Sequence, residues 1–251
     1  MYRILINLQY DGSSYCGWIK QKNQNSIQGV LEKTIFKVIK SNNFKVYGVS
    51  KTDAGVHALS QKVIIEINFQ PTLNKFIWAL NKALPSDIHI SEFDYVSASF
   101  ELHDVKCKTY VYTLNNSIWD LKNNRYELEW SKNLINIKQL QDICNIFVGE
   151  HDFKLFSGLS ESEVNSGNFK TIRKIDSIKV FKKADKIEIE FIAKGFIRHQ
   201  IRYIVQSILN CQYNKVSQST LKEMLNGNGK KLPFKAEAKG LLLKSVVFNK
   251  K

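Results

Sequence analysis

The densest grouping of reactive side-chain types lies in Gly48-Val49-Ser50-Lys51-Thr52-Asp53-Ala54-Gly55-Val56-His57-Ala58. Within three residues it sets a cation, a hydroxyl and a carboxylate. A carboxylate beside a fixed cation is held ionised, and an ionised carboxylate can serve as a nucleophile in covalent catalysis. Thr52-Asp53-Ala54-Gly55 also has good turn chemistry, since Asp favours turns and Gly accepts positive φ. Local sequence leaves both readings open. Five histidines, at 57, 89, 103, 151 and 199, lack zinc-ligand spacing. His57 and His199 suit acid–base chemistry by type, but nothing in the sequence pairs them. Asn226-Gly227-Asn228-Gly229-Lys230-Lys231 lacks the Walker spacing and a following Ser or Thr, so it reads as a basic turn. Neither a metal nor a cofactor is expected. Cys16, Cys107, Cys144 and Cys211 show no metal-ligand spacing and are expected as buried thiols.

Composition narrows the partner. Among 251 residues, 37 Lys and Arg oppose 23 Asp and Glu, a formal net charge of +14. Hydrophobic residues at 43% and charged residues at 24% are ordinary for a globular chain, so the excess positive charge bears on partners rather than on fold. A polyanion is expected, and nucleic acid first, because cations meeting phosphates release counterions. Tyr, Phe and Trp scattered among the cations suit base contacts. The opening Met1-Tyr2-Arg3-Ile4-Leu5-Ile6 alternates like a strand, too short an apolar run for a signal peptide. No segment is long and apolar enough to span a bilayer, and a cytoplasmic location is expected.

The loop resembles the catalytic loop of the TruA family of tRNA pseudouridine synthases, usually Gly-Arg-Thr-Asp-Ala-Gly-Val-His. Further blocks are similar and come in family order: Tyr10-Asp11-Gly12 with Gly17-Trp18, Leu80-Asn81 with Leu84-Pro85-Ser86-Asp87-Ile88, Lys108-Thr109-Tyr110-Val111-Tyr112, Gly149-Glu150-His151-Asp152-Phe153, Thr171-Ile172-Arg173, Phe196-Ile197-Arg198-His199-Gln200-Ile201-Arg202, and Ala238-Lys239-Gly240-Leu241. The resemblance implies an α+β pseudouridine synthase fold, two ferredoxin-like halves with antiparallel sheets flanking a central cleft. It implies isomerisation of uridine in the anticodon stem-loop of tRNA, without a cofactor, by a homodimer. Asp53 is then the nucleophile, Arg202 the cation beside it, and Tyr110 an aromatic platform for the base. Lys51, Thr52 and His57 join Tyr110 as substrate-binding residues. Lys51 departs from the family's usual arginine and lacks its planar fork. Phe100-Glu101-Leu102-His103 departs from the Ala-Arg pair that the family normally carries before the residue matching Tyr110. A pseudouridine synthase of another RNA-site specificity and a non-catalytic RNA-binding relative remain as alternatives.

Positioning these residues takes two α/β halves, 1–100 and 101–251, divided near 97–104. Strands are expected at 2–9, 44–50, 59–67 and 88–96. Helices are expected from the Ser26 cap and over 72–84. The order is β-α-β-β-α-β. The second half is expected as strands 105–115, 125–130, 171–182, 186–194 and 240–248, with helices 136–148, 196–212 and 217–226 and a polar loop at 157–169. On the 197–209 helix, Ile197, Ile201, Ile204, Val205 and Ile208 form the apolar stripe, with Arg202 at its edge.

Overall fold

The structure, a computed structural model, describes residues 1–115, 121, 124–130 and 136–249. In chain order the elements are β1 (Tyr2–Tyr10), α1 (Ile27–Ile39), β2 (Phe44–Gly48), β3 (His57–Ile67), α2 (Leu73–Ala83), β4 (Ile88–Val96), β5 (Val105–Asn115), β6 (Leu128–Glu129), α3 (Ile137–Asn145), β7 (Gly149–Asp152), α4 (Glu161–Asn165), β8 (Ile172–Ile175), β9 (Ser177–Lys183), β10 (Lys186–Ala193), α5 (Gln200–Gln212), α6 (Gln218–Leu225) and β11 (Leu241–Phe248). The chain divides into two compact units. One holds residues 1–106 together with the chain from Leu242 onward, and the other holds 107–241. The last strand, expected with the C-terminal half, therefore groups with the first unit. There it lies parallel to the start of β3, with Leu242 opposite His57 and Leu243 opposite Ala58.

The first unit orders its strands β4-β1-β3-β2, each pair antiparallel. That order, threaded β-α-β-β-α-β, is the ferredoxin-like arrangement. Period-two alternation puts Ile4, Ile6 and Leu8 of β1 into the core, opposite Ile65, Val63 and Gln61 of β3. Ser26 caps α1 by accepting from the Gly29 amide. Ile27, Leu31 and Ile35 recur every four residues on α1, and Phe76, Ile77 and Leu80 do the same service on α2; all are buried. Gly48 ends β2 against the buried ring of Trp18. A Cβ there would stand 2.3 Å from two ring carbons.

The second unit centres on β10, antiparallel to both β5 and β9. Its residues alternate strictly, burying Ile187, Ile189, Phe191 and Ala193. The Gln141 side chain of α3 accepts from Val180 N at 2.9 Å and donates to Ile178 O at 2.9 Å, fixing the helix on β9. The strand expected over 171–182 is two strands. Residues 172–175 pair with β7, residues 177–183 pair with β10, and between them Asp176 N donates to Ile192 O. The strand expected over 125–130 contracts to Leu128–Glu129. The polar loop contains α4, closed by a capping box between Ser160 and Glu163. Four stretches of the chain, 116–120, 122–123, 131–135 and 250–251, lie outside the described residues of the halves expected from sequence. Cys144 and Cys211 are buried, but Cys16 and Cys107 are half-exposed, so two of the four thiols depart from expectation. Cys107 shares the strand face of the buried Val105 and Val111 but lies in the half-buried stretch 107–110 of β5, and Cys16 lies in a loop.

Overpacking at the Gly48 contact has a measurable consequence. Gly48→Ala should lower stability by about 1–3 kcal/mol, because the buried Trp18 ring must shift to admit the methyl group. Urea unfolding followed by tryptophan fluorescence reads the effect. An unchanged midpoint would show that the indole yields freely.

Candidate functional site

The β2–β3 connection, residues 49–56, carries Lys51, Thr52 and Asp53. Three sets of bonds hold it. At its start, the fully buried Gln61 side chain accepts from Ser50 N at 3.1 Å and donates to Ser50 O at 2.5 Å. At its centre it runs beside the loop after β1. Trp18 N donates to Thr52 O at 3.0 Å, Gly17 and Asp53 form an antiparallel bridge, and Gly55 N donates to Tyr15 O at 3.3 Å. At its end, Val56 N donates to Asp53 O at 3.2 Å. Gly17 has φ +104°, and a Cβ on it would meet Thr52 O at 2.6 Å. Only a glycine combines that conformation with that approach.

Side chains complete the loop. The buried Thr52 hydroxyl lies 2.7 Å from the Tyr10 hydroxyl. His57 is 4% exposed, and its Nδ1 lies 3.1 Å from both Gly12 N and an Asp11 carboxylate oxygen. A single ring nitrogen cannot serve both at once. Unprotonated, it accepts from the Gly12 amide; protonated, it donates to Asp11. Asp53 is half-buried and Lys51 is exposed. Of the four residues expected here, Lys51 and Asp53 thus reach the surface, whereas Thr52 and His57 are built into the loop's frame.

Tyr110 and Arg202 belong to the second unit. Tyr110, on β5, meets Phe196 edge to face at 5.4 Å. Two residues before it on the same strand face, burial pushes the Lys108 ammonium down to about 8. Two residues after it, Tyr112 is fully buried and donates its hydroxyl to Glu237 O at 2.8 Å. Burial raises the Tyr112 phenol, partly offset by the positive charge of Arg202. Arg202, on α5, donates Nε to Ala236 O at 2.8 Å, and Ala236 N donates back to Arg202 O at 3.1 Å. This reciprocal pair fixes the direction of the guanidinium.

The helix carrying Arg202 begins at Gln200 rather than at 196. Preceding residues are committed elsewhere: Arg198 O accepts from Gly158 N at 2.6 Å, and Ile197 N donates to the Gln200 side chain at 2.8 Å. His199 enters the helix in the left-handed region, at φ 61°. Ile197 therefore falls outside the buried stripe, while Tyr203, Ser207 and Leu209 join Ile201, Ile204, Val205 and Ile208 inside. Burial first, and then Lys235, Arg202, Arg198 and Lys231, push the His199 imidazole down to about 4. Sequence reasoning missed the Gln61 clamp, the Tyr10–Thr52 contact and the half-buried Lys108. Only Tyr10 and Lys108, inside motif blocks, carried any signal.

Among the described residues, no helix is long and apolar enough to cross a membrane, and no three His, Cys, Asp or Glu side chains group as metal ligands.

Acid should expose the state of His199. Its folded value, about 4, lies below the ordinary 6.5, so the unfolded chain takes up this proton first as pH falls. Stability present above pH 6.5 is then lost progressively toward about 4. In His199→Asn, which tolerates the left-handed backbone, urea unfolding across this range should show a shallower loss than in the parent. Equal slopes would mean His199 titrates normally.

Comparison with known proteins follows the same residues. The family described as tRNA pseudouridine synthase matches residues 7–102 and 143–249. These stretches contain Asp53 and Arg202 and pass over Tyr110. The chain is 50% identical to the tRNA pseudouridine synthase A of Mesoplasma florum over 249 residues, covering 99% of each. Identity to that of Mycoplasma mycoides is 52% over 248 residues, 98% of each. Against that of Ureaplasma parvum it is 36% over 246 residues, 97% of this chain and 98% of the other.

Proposed function

Because the chain belongs to the tRNA pseudouridine synthase family and isomerises uridine to pseudouridine in tRNA, we propose that Asp53 is its nucleophile, Arg202 the cation that serves it and Tyr110 the platform for the target base. The observation that carries the reading is the seam holding Asp53. A half-buried carboxylate is fixed by backbone bonds on both sides, inside a stretch that matches the family. The reaction breaks the bond between ribose and the uracil nitrogen and joins the same ribose carbon to carbon 5 of the ring. No atom is gained or lost and no electron is transferred to a partner. It requires an anion that can add covalently and later leave, and a base taken out of its stack. Whether the carboxylate first meets the ring or the ribose, the attacking oxygen belongs to Asp53.

Arg202 suits the cationic role because its guanidinium is charged at every working pH and its direction is set by Ala236. Tyr110 offers a ring edge-supported by Phe196. Lys51, exposed two residues before Asp53, supplies a phosphate contact. Thr52 and His57 act as positioning residues, through Tyr10 and through Asp11 and Gly12. The substrate site is the anticodon stem-loop, the enzyme works in the cytoplasm, and the active form is a homodimer.

Asp53→Asn tests the nucleophile, since the amide keeps the shape and the turn but cannot form the covalent intermediate. Tritium release from uracil-5-labelled tRNA should fall to background. tRNA affinity should change little, because phosphate contacts dominate it. Appreciable pseudouridine formation by purified Asp53→Asn protein would overturn the assignment.

The dimer has its own test. Light scattering coupled to gel filtration should give about twice the chain mass at assay concentration. Full activity from a monomer would refute it.

A further inference from the structure

The second unit gathers more positive charge around α5 than Arg202 needs. Three segments meet there. The loop at Gly158 is bonded to Arg198: Gly158 O accepts from Arg198 Nε at 3.1 Å and Nη2 at 2.5 Å. Glu163 accepts from Arg198 Nη2 at 2.6 Å. Gly158 packs so closely that a Cβ would stand 2.4 Å from His199 Nδ1. The third segment, 231–236, is tied in at both ends. Lys231 Nζ donates to Leu159 O at 3.3 Å and sits 4.6 Å from the centre of the Tyr203 ring. Ala236 exchanges two bonds with Arg202.

Two features of this cluster go beyond what ties the three segments together. Arg198 and Lys231 are both tied to the 158–159 backbone, and Lys235 precedes the Ala236 that bonds Arg202; burial first, and then Arg198 and Lys235, lower the Lys231 ammonium, with Glu163 opposing. Like charges held together by a fixed backbone destabilise the free protein and suit an anion that is yet to arrive. Between Lys231 and Lys235 stands Phe234, 74% exposed, behind the exposed Pro233. A large apolar ring exposed between two lysines of the chain contributes nothing to the core. It has the make-up of a stacking platform for a nucleobase, with cations for the flanking phosphates. Phe234 is two residues from Ala236, and Ala236 is bonded to Arg202, so the platform is fixed close to the proposed reaction cation.

We propose that Phe234, with Arg198, Lys231 and Lys235, forms a subsite for an unpaired nucleotide next to the target uridine, its base stacked on the Phe234 ring and its phosphates held by the three cations. The proposal rests on Arg202 serving the target uridine. Proline before the ring restricts the backbone at Leu232 and Pro233, which narrows the paths of the chain leading to the ring. The cations provide affinity for any backbone, and the ring distinguishes an unpaired nucleotide from a paired one.

The test uses the full chain and unmodified tRNA transcript. Phe234→Ala should raise KM for tRNA about five- to hundredfold, the range for loss of one base stack, with kcat and thermal stability close to the parent. Phe234→Tyr should restore KM. Lys235→Gln should lessen the salt dependence of tRNA binding by roughly one phosphate, a slope change of about 0.7–0.9. A transcript made abasic at the neighbouring unpaired position should bind the parent as weakly as the normal transcript binds Phe234→Ala, with no further loss when the two are combined. Full additivity, or parent-like KM in Phe234→Ala, would overturn the subsite. A Phe234→Ala protein that is monomeric where the parent is dimeric would overturn it in favour of a subunit contact. Binding is measured apart from turnover, so a parent protein that binds tRNA but forms no pseudouridine would refute the proposed function without deciding the subsite.

Discussion

The site depends first on a backbone seam in which residues 15–18 run beside residues 52–55. The role proposed for Asp53 asks for a carboxylate that stays ionised, half out of water and immobile, and a connection of eight residues does not fix that by itself. Here Trp18 N, Gly17 and Tyr15 O bond the Thr52–Gly55 backbone from outside, while the Gln61 amide fastens Ser50 from beneath. Gln61 is fully buried and both its polar atoms are satisfied, so it carries little desolvation cost and fixes one geometry. The glycines of the opposing loop are consequences of this seam. Gly12 must pass the Val56 carbonyl and Gly17 the Thr52 carbonyl, at distances no Cβ tolerates. Trp18 then covers the end of β2. The motif spacing between Gly17-Trp18 and Asp53 thus reflects one packed object rather than two.

Electrostatics in the second unit follow a different rule. Cations accumulate around α5 with Glu163 as the acidic counterpart, and the cost shows in the groups that can give up charge. His199 is held neutral and the Lys231 ammonium is weakened. Arg198 and Arg202 cannot respond in this way, because guanidinium keeps its proton. Both arginines instead spend donors on carbonyl oxygens, Arg198 on Gly158 and Arg202 on Ala236. Those bonds aim the fixed charges, while the neutral histidine between them limits repulsion. A histidine in the left-handed region at the helix entrance is a strained choice. It is accepted because Gly158 leaves room for the ring and because helix entry at Gln200 frees Arg198 O to meet the Gly158 amide.

Much of the first unit was legible in the sequence because its signals are local and agree with one another. The alternation of Ile4, Ile6 and Leu8, the Ser26 cap and the four-residue spacing of Ile27, Leu31 and Ile35 each point to the element that forms. The second unit was less legible where one segment serves two partners. Residues 171–182 have continuous strand composition, yet the chain changes sheets at Asp176. The helix pattern from Phe196 onward is continuous too, but tertiary bonds to Gly158 delay its start. β11 has the composition of a closing strand for its own half, yet it groups with the first unit and runs parallel to the start of β3. Of the site, Asp53 and Lys51 were legible as surface chemistry. Thr52 and His57 have the same residue types in the same motif, but only burial distinguishes a framework hydroxyl or imidazole from one that meets RNA.

Lys51 shows how far the frame and the chemistry are separable. Its neighbour Thr52 is buried against Tyr10, whereas Lys51 is exposed and Asp53 half-exposed. The frame therefore does not depend on which cation stands at residue 51. An arginine would add a planar fork able to hold one phosphate bidentately, whereas the lysine ammonium acts as a mobile point charge on a flexible stem. The lost geometry costs orientation more than attraction. A chain with a formal charge of +14 has attraction to spare, so the exchange of fork for point charge at residue 51 bears on how a phosphate is held rather than on whether it is drawn in.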